Sequence, residues 1–438
     1  MTGLMARKVF ISFLGTTFYE PGIYWRDNFY CDKTRFIQVA TLQYLQSLAA
    51  WDKDDKVIIL LTEKAKQSNW IDYGSHPYKN ETYKGLESEL KSLGQSFGTQ
   101  ALDVPDGNNE AEILEIFTRL FHELKEGDEL YFDVTHGFRS LPMLAIVLGN
   151  YTKFLKSATV KSITYGNWEA RQDDKAPIID LQALSNLQDW TFAAADYIEN
   201  GNATRISKLT QEKVHPILRD SCGKDKAAKS LQQLAKHLQN ATDDFLTCRG
   251  LNIVNATNIT LLKRCLDEVS ETTIRQLDPI LEKINESFND FDSGQNVLNG
   301  ILAAQWCLDN AMYQQAATLL QETIVSFFCL RHSIRIDDDK KRERINRAFR
   351  AIASKDTIKA ANEDERDSIA QIINTDELMR EKEIYSTFAS LSELRNDINH
   401  SGMRSSKHPQ KANDIKQSIT NIISFYSNLL IHNGCKED

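Results

Sequence analysis

The sequence predicts an α/β domain built on a mostly parallel, Rossmann-like sheet, followed by all-α domains. Three observations support this fold class. Short apolar runs alternate with stretches of helical period up to about residue 180, the strand pattern then stops, and 438 residues exceed the size at which one hydrophobic core stops growing. Strands that alternate with helical segments form parallel, right-handed βαβ units. We therefore divide the chain into an α/β domain at 1–180, a helical middle region at 181–295 and a helical C-terminal domain at 296–438.

Each predicted element of the first domain follows from its local pattern. Continuous apolar runs suit strands that are buried on both faces. They are KVFISFLG (8–15), KVIILLT (56–62), a weaker run at 99–104, ELYFDVT (129–135) and VKSITYG (160–166). Amphipathic stretches between them predict helices at 32–50, 81–93, 109–125 and 141–154. Beyond residue 181 the pattern is helical, and FNDFDSGQN (288–296) interrupts it before a long helix that begins at about Val297.

Composition excludes several classes of protein. The net charge of −9 argues against a protein that holds long nucleic acid by its phosphates, because each neutralised phosphate needs a Lys or Arg nearby. Seven cysteines without any CxxC pair predict neither a disulfide framework nor a zinc site. No stretch approaches the roughly 20 apolar residues of a membrane span, and the N-terminus lacks a signal-peptide cleavage pattern. We expect a cytoplasmic protein that contacts no membrane and binds no metal.

Two polar segments directly follow predicted strands of the first domain. In an open parallel sheet, ligands bind beyond the carboxyl ends of the strands. Pro142 suits the first turn of a helix, so Ser140 is the expected N-cap and Arg139 stands at the positive helix end, which favours a phosphate. Ordinary turn and cap roles are the alternative. The candidate ligand-binding residues are Thr16, Thr17, Thr135, His136, Gly137, Arg139 and Ser140.

A second candidate site lies near the C-terminus, where RNDINH (395–400) ends an amphipathic helix and is followed by Ser-Gly. Metal-free RNA cleavage needs a base for the ribose 2′-OH, an acid for the leaving oxygen and a cation for the phosphorane. Arg395 and His400 supply these groups, and Asn396 follows the arginine. A straight helix turns about 500° over five residues and so sets the pair about 140° apart. A site therefore requires a deformed helix end or two copies that pool their residues.

The alternative interpretation of this pair makes Arg395 an ion-pairing surface residue and His400 a cap at the helix C-terminus. A charge run, DDDKKRERINR (337–347), also has two interpretations. It is either a solvated loop with a helix start, or a segment in which Arg342, Arg344 or Arg347 faces an RNA path.

Together these motifs resemble the CRISPR-associated ribonucleases of type III systems, of the Csx and Csm type, which join an N-terminal CARF domain to a C-terminal HEPN domain. FLGTTFY (13–19) resembles the first strand and loop of that family, and FDVTHGFRSLP (132–142) resembles its most distinctive CARF motif. RNDINH (395–400) resembles the HEPN R-x4-6-H motif. YQQAATLLQETIVSFF (313–328) is similar to the first HEPN helix, with Glu322 as a polar helper. The stretch from 190 to 291 is similar only in being helical.

The resemblance implies an allosterically activated, metal-independent endoribonuclease of antiviral CRISPR defence. A cyclic oligoadenylate would bind across the CARF domains of a homodimer, and the HEPN pair would then degrade single-stranded RNA without a cofactor. We expect cyclic tetra-adenylate as the activator first and the hexa-adenylate second, and a dimer or a higher oligomer as the assembly. The candidate residues of the first site would contact the ligand, and Arg395, His400 and Asn396 would form the catalytic site.

Two other functions remain open at this point. In the first, the segment from Thr135 to Ser140 cleaves the cyclic ligand, which makes the protein a ring nuclease that limits the signal. In the second, the protein is a sensor without catalysis, whose HEPN domain serves only for dimerisation.

Overall fold

The computed structural model describes residues 6–73, 83–93, 97–137, 141–269, 278–354, 362–403 and 409–433. The chain divides into two compact units, Met1–Gln188 and Asp189–Asp438. Within the described ranges, every helix is too short or too polar to cross a lipid bilayer.

The first unit is an eight-stranded sheet covered by helices. Its strand order is β3-β2-β8-β7-β6-β1-β4-β5. The five central strands from β7 to β5 are parallel, whereas β8 runs antiparallel to β7 and β3 antiparallel to β2. The strands are β1 Lys8–Phe13, β2 Ile23–Arg26, β3 Phe29–Tyr30, β4 Lys56–Leu61, β5 Gly98–Asp103, β6 Glu129–Asp133, β7 Thr159–Gly166 and β8 Lys175–Asp180.

The five parallel strands are the five that the apolar runs predict, so the Rossmann-like fold class is confirmed. Successive side chains of β1 and β4 alternate between two cores, one on each face of the sheet. Val9 and Ile58 pack with α4 and α5, whereas Phe10 and Val57 pack with α1 and α3. The helices of this unit are α1 Ile37–Leu48, α2 Glu63–Ala65 with a π-helical turn at Lys66–Trp70, α3 Leu86–Ser92, α4 Glu110–Glu123 and α5 Leu141–Leu155.

The remaining chain is helical, as predicted. Its helices are α6 Gln182–Asn200, α7 Thr204–Asp220, α8 Lys226–Leu246, α9 Gly250–Val254, α10 Thr257–Val269, α11 Asp278–Glu286, α12 Leu298–Asp309, α13 Tyr313–Arg331, α14 Asp339–Ser354, α15 Glu363–Thr375, α16 Glu377–Arg380, α17 Lys382–Asn399 and α18 Ala412–His432. α13 is the central helix, with most of its side chains buried, and it packs against α12, α14, α17 and α18.

Apolar side chains from Trp190 to Leu430 form one continuous core in the second unit. Phe288 and Phe291, in the segment where the sequence predicts a boundary, are part of that core. Asn299 is also buried there and accepts a hydrogen bond from the Asp292 amide at 2.9 Å. The division at about residue 295 into two helical domains stays a prediction.

A buried carboxylate joins the end of α13 to the start of α16. Asp376 accepts hydrogen bonds from Arg331 Nε at 3.0 Å and from the Met379 amide at 3.1 Å, and its Oδ2 lies 3.1 Å from His332 Nε2. Burial alone would raise the pKa of this carboxyl, but the hydrogen bonds from His332 and Arg331 hold it well below its usual range. Its contribution to stability is therefore complete above pH ~4 and is lost as the pH falls below that value.

We expect Asp376→Ala to lower the free energy of unfolding by about 3 kcal/mol, because the change leaves the partly buried Arg331 guanidinium without its carboxylate and the His332 ring without its hydrogen-bond partner. Urea unfolding at pH 7 measures the loss. Asp337→Ala is the matched control, since it removes a carboxylate whose ion pair with Arg335 is exposed, and it should leave stability unchanged within error. Equal losses in the two variants would contradict the role given to Asp376.

Candidate functional site

The two polar loops of the first unit emerge side by side at the carboxyl edge of the sheet. β1 and β6 are parallel neighbours, and their register pairs Ser12 with Asp133. The loop that follows β1 (residues 14–17) and the loop that follows β6 (residues 134–137) therefore begin at the same level. The side chains of Thr16 and Thr17 are exposed there. The sequence predicts that both loops follow the carboxyl ends of parallel strands, and the observed geometry agrees with this.

Asp133 is a buried anchor beneath the second loop. Its carboxylate accepts hydrogen bonds from Ser12 Oγ at 2.7 Å, from Thr135 Oγ1 at 2.5 Å and from the Thr135 amide at 3.2 Å. Burial raises the pKa of this carboxyl above its usual range. The Thr135 hydroxyl also accepts a hydrogen bond from the Gly166 amide at 2.8 Å. Thr135 thus ties β6 to the end of β7 and fixes the direction in which the loop leaves the sheet.

Asn69 holds the first loop from below. Its buried amide Nδ2 donates to the carbonyl oxygens of Gly15 at 2.9 Å and Thr17 at 2.8 Å. The Gly15 amide donates in turn to the Tyr19 hydroxyl at 2.8 Å. A Cβ at Gly15 would lie 2.5 Å from that hydroxyl oxygen, so the loop requires glycine at this position. The carbonyls of Gly15 and Thr17 point toward Asn69, and the Thr16 side chain is exposed to solvent.

Arg35 completes this support. Its Nε donates to the Tyr19 carbonyl at 3.2 Å and its Nη2 to Asn69 Oδ1 at 3.4 Å. The guanidinium carbon lies 4.5 Å from the ring centroid of Phe18 and 4.8 Å from that of Tyr83. Sequence reasoning did not identify Asn69 or Arg35, because each lies far along the chain from the loop that it supports and within no recognisable motif.

His136 is half-buried on the inner side of the second loop. Its ring stacks on Tyr19 with centroids 4.1 Å apart and planes inclined by 19°. Nε2 is buried, and none of the described residues hydrogen-bonds to it. Burial lowers the pKa of His136 to about 4, so the imidazole is neutral at pH 7. Gly137 follows with φ at 109°, which favours glycine, and Arg139 and Ser140 lie outside the described residues.

The His136 ring makes stability depend on pH in a defined direction. The folded state keeps the ring neutral down to about pH 4, whereas the unfolded chain takes up a proton near pH ~6.5. The unfolded state thus binds more protons between these values. The stability that the neutral ring contributes is complete above pH ~6.5 and is lost as the pH falls toward 4.

We expect His136→Phe to remove this dependence while it keeps a ring stacked on Tyr19. Between pH 7 and pH 4.5, the variant should gain on the order of 2 kcal/mol relative to the wild-type protein in the free energy of unfolding. Asp133 is present in both proteins, so its own titration cancels in the comparison. Parallel stability curves for the two proteins would refute the assignment.

The second candidate site lies where α17 ends. Arg395 is within the last turns of α17, half-buried, and Asn396 beside it is half-buried as well. His400 is the C-cap and is exposed. Ser401 and Gly402 have φ values of 55° and 69°, and the Gly402 amide donates to the Asp397 carbonyl at 2.9 Å, so the helix stops at the predicted Ser-Gly. His400 therefore lies at the point where the regular helix ends, five residues after Arg395.

Arg395 belongs to a charge cluster that joins three helices. Its Nη1 lies 4.0 Å from Glu322 Oε1, and Glu322 Oε2 accepts a hydrogen bond from Arg342 Nη2 at 2.7 Å. Arg395 Nε is buried and has no hydrogen-bond partner among the described residues. A buried donor without a partner is costly, so this group calls for an explanation, and a catalytic role is one of them.

The other arginines of the charge run make internal contacts. Arg344 Nη1 donates to Ser368 Oγ at 2.9 Å, and Arg347 Nη1 donates to Glu365 Oε1 at 2.8 Å. These bonds hold α14 against α15. The interpretation of the run as a helix start with structural contacts is therefore favoured over an RNA path along it.

Comparison with known proteins agrees with the architecture of the first unit. Residues 9–169 match the family described as CRISPR system endoribonuclease Csx1, CARF domain. The chain is 26% identical to a CRISPR-associated protein of Methanocaldococcus jannaschii over 192 residues, which are 42% of this chain and 29% of that protein. The chain thus matches less than a third of the length of this curated relative.

Among solved structures, Csm6 of Enterococcus italicus bound to cyclic hexa-2'-fluoro-hexa-dAMP aligns with a TM-score of 0.46 and 12% identity, covering 99% of this chain and 96% of that one. The family match and the observed sheet together identify the N-terminal unit as a CARF domain of Rossmann-like fold, as the sequence motifs predict.

Proposed function

We propose that this protein is a metal-independent endoribonuclease of CRISPR defence, which a cyclic oligoadenylate activates and which cleaves single-stranded RNA. The observation that supports it best is the Arg395 guanidinium, whose buried Nε has no hydrogen-bond partner among the described residues and which lies in the last turns of the helix that the exposed His400 caps. The CARF match covers the two ligand loops, and the helical unit holds the Arg–His pair.

The activator would bind at the carboxyl edge of the CARF sheet. Thr16 and Thr17 present exposed hydroxyls on a loop that is fixed through its carbonyls, and Gly137 permits close approach of a ligand. His136 Nε2, to which none of the described residues hydrogen-bonds, is a polar group suited to an adenine or a ribose. Thr135 would position the loop, because its hydroxyl already bonds to Asp133 and Gly166. We retain Arg139 and Ser140 as proposed contacts to phosphate.

The Arg–His pair would cleave RNA by attack of the ribose 2′-OH on the adjacent phosphorus. His400 exchanges the proton of the 2′-OH or of the leaving oxygen, and Arg395 stabilises the charge on the phosphorane. Asn396 would support this pair. The cleaved strand would end in a cyclic phosphate, and a DNA strand would be resistant because it lacks the nucleophile.

An apolar stripe on α5 supports a homodimer. Met143, Val147 and Phe154 share one helix face with exposures of 70%, 55% and 62%. α5 begins four residues after Gly137, at the end of the proposed ligand loop. Contiguous exposed apolar surface of this kind marks an interaction site. We propose that two copies meet through this stripe, which brings their ligand loops together.

We expect Val147→Glu to convert the dimer to a monomer, because the change places an unpaired carboxylate at the centre of the interface. Light scattering coupled to gel filtration measures the mass. Leu48→Glu is the matched control, since Leu48 is equally exposed on α1, which covers the opposite face of the sheet, and this variant should remain dimeric. A monomeric wild-type protein at micromolar concentration would contradict the proposal.

The reaction is tested with labelled single-stranded RNA and DNA of one sequence, in EDTA, with cyclic tetra- or hexa-adenylate. The proposal predicts that RNA is cleaved to cyclic-phosphate ends and that DNA stays intact. Cleavage of the cyclic ligand alone, undisturbed by His400→Ala, would indicate a ring nuclease instead. Binding of the ligand without turnover of either molecule would indicate a sensor.

A further inference from the structure

A cavity of about 300 Å³ opens beside the Arg395 charge cluster in the helical unit. Its wall is mainly aliphatic and comes from α9, α13 and the segment before α14. Leu251, which is 46% exposed, lines it, so the cavity communicates with solvent. Other wall residues are Ile253, Val254, Leu319 and Ile336. An aliphatic wall of this kind suits a neutral group.

The polar residues that line the cavity include Glu322, Ser326 and Arg342, with Thr323 and Cys248 beside them. Arg342 is largely saturated, because Nη1 donates to Ser326 Oγ at 2.8 Å and to the Ile336 carbonyl at 3.0 Å, while Nη2 donates to Glu322. Its charge is paired at 2.7 Å with Glu322 Oε2. Among the described lining residues the one cation, Arg342, is therefore already paired, and Glu322 Oε1 remains as an acceptor.

Glu322 also connects the cavity to the proposed catalytic residues. Its Oε1 lies 4.0 Å from Arg395 Nη1, beyond hydrogen-bond distance, so one carboxylate faces both the cavity and the arginine. When a phosphate of the RNA contacts Arg395, the base on one side of that phosphate is close enough to enter this cavity. The volume is at the lower end of the ~300–1,000 Å³ range of small-molecule sites, which fits one base and not a segment of strand.

We propose that this cavity binds one base of the RNA substrate next to the scissile phosphate and selects bases that carry an exocyclic amino group. The inference rests on the proposed ribonuclease function. The base packs against the aliphatic wall, and its amino group donates to Glu322 Oε1. Adenine, cytosine and guanine have such a donor. Uracil presents carbonyl oxygens on both sides of its N3–H, and these repel the carboxylate.

The test uses DNA oligonucleotides that contain a single ribonucleotide, so that only one bond is cleavable, with adenine or uracil on either side of that bond. The full-length protein is activated with cyclic tetra-adenylate, or with the hexa-adenylate if that ring is the activator. At one of the two positions, kcat/KM should be about tenfold higher for adenine than for uracil, as expected for one hydrogen bond to a charged group.

Leu251→Trp fills the cavity from its exposed wall and should reduce this ratio to within about twofold of unity, mainly by lowering kcat/KM for the adenine substrate. Leu261→Trp is the matched control, since Leu261 is exposed on α10 and does not line the cavity, and it should keep both the ratio and the activity. Glu322→Gln supplies a donor in place of a carboxylate oxygen and should raise cleavage of the uracil substrate relative to adenine.

Equal kcat/KM for adenine and uracil at both positions would overturn the cavity assignment while the ribonuclease function stands. Unchanged discrimination in Leu251→Trp, with thermal unfolding like that of the control, would overturn it as well. If the wild-type protein cleaves neither these oligonucleotides nor long RNA, the proposed function itself fails, and the cavity assignment fails with it.

Discussion

Replacement of His400 with alanine is expected to reduce ligand-stimulated RNA cleavage by roughly 10²–10⁴-fold, the usual contribution of a positioned acid or base. Arg395→Ala should have an effect of similar size, because it removes the cation that stabilises the phosphorane. Neither change touches the CARF unit, so the affinity for cyclic oligoadenylate should be unaltered. Single-turnover cleavage of labelled RNA and calorimetric titration of the ligand measure the two quantities.

The chain provides a matched control for each change. His432→Ala removes an exposed histidine at the end of α18, and Arg350→Ala removes an exposed arginine on α14. Both variants should cleave RNA at the wild-type rate. If RNA cleavage survives in His400→Ala and Arg395→Ala, then Arg395 is an ordinary ion-pairing residue and His400 an ordinary helix cap.

The second large effect is expected from Asn69→Ala. This change removes the two hydrogen bonds that hold the carbonyls of Gly15 and Thr17, and it leaves Arg35 without one acceptor. Each lost bond within the folded unit is worth about 1 kcal/mol, so the affinity for cyclic oligoadenylate should fall by about 10–100-fold. Calorimetry with the tetra- and hexa-adenylate rings measures the loss.

Asn69→Asp refines this test, because aspartate retains an acceptor for Arg35 but donates to neither carbonyl. It should weaken ligand binding nearly as much as alanine does. Asn109→Ala is the control for general destabilisation. It removes the N-cap of α4, where the Asn109 side-chain oxygen accepts a hydrogen bond from the Glu112 amide. Wild-type affinity in both Asn69 variants would mean that the first loop is not part of the ligand site.

β1 and β4 were predictable because they are buried on both faces, and such strands are recognisable as unbroken apolar runs. β2, β3 and β8 were not predicted. β3 has two residues, β2 mixes Tyr24 and Trp25 with Arg26, and β8 contains Pro177 between Ala176 and Ile178. Short strands of mixed or proline-containing sequence depend on pairing with a neighbour and carry little signal of their own.

The ligand loops were predictable for a related reason. Residues that directly follow parallel strands meet at one edge of the sheet, so Thr16 and His136 were expected to lie near each other before any coordinates. Asn69 and Arg35 act through single contacts from distant segments, and no local pattern marks such contacts. For the second site, the sequence indicated Arg395, His400 and the polar Glu322, but the cavity beside Glu322 arises from the packing of α9 on α13.

The central claim is that ligand binding at the CARF unit switches on RNA cleavage by the helical unit. The most direct test is the initial rate of single-stranded RNA cleavage by the wild-type protein as a function of cyclic oligoadenylate concentration. The proposal predicts a saturable rise of the rate, with a midpoint equal to the Kd of the ligand, because a ligand shifts a two-state equilibrium only through its tighter binding to one state. A rate that is independent of the ligand at every ring size would contradict it.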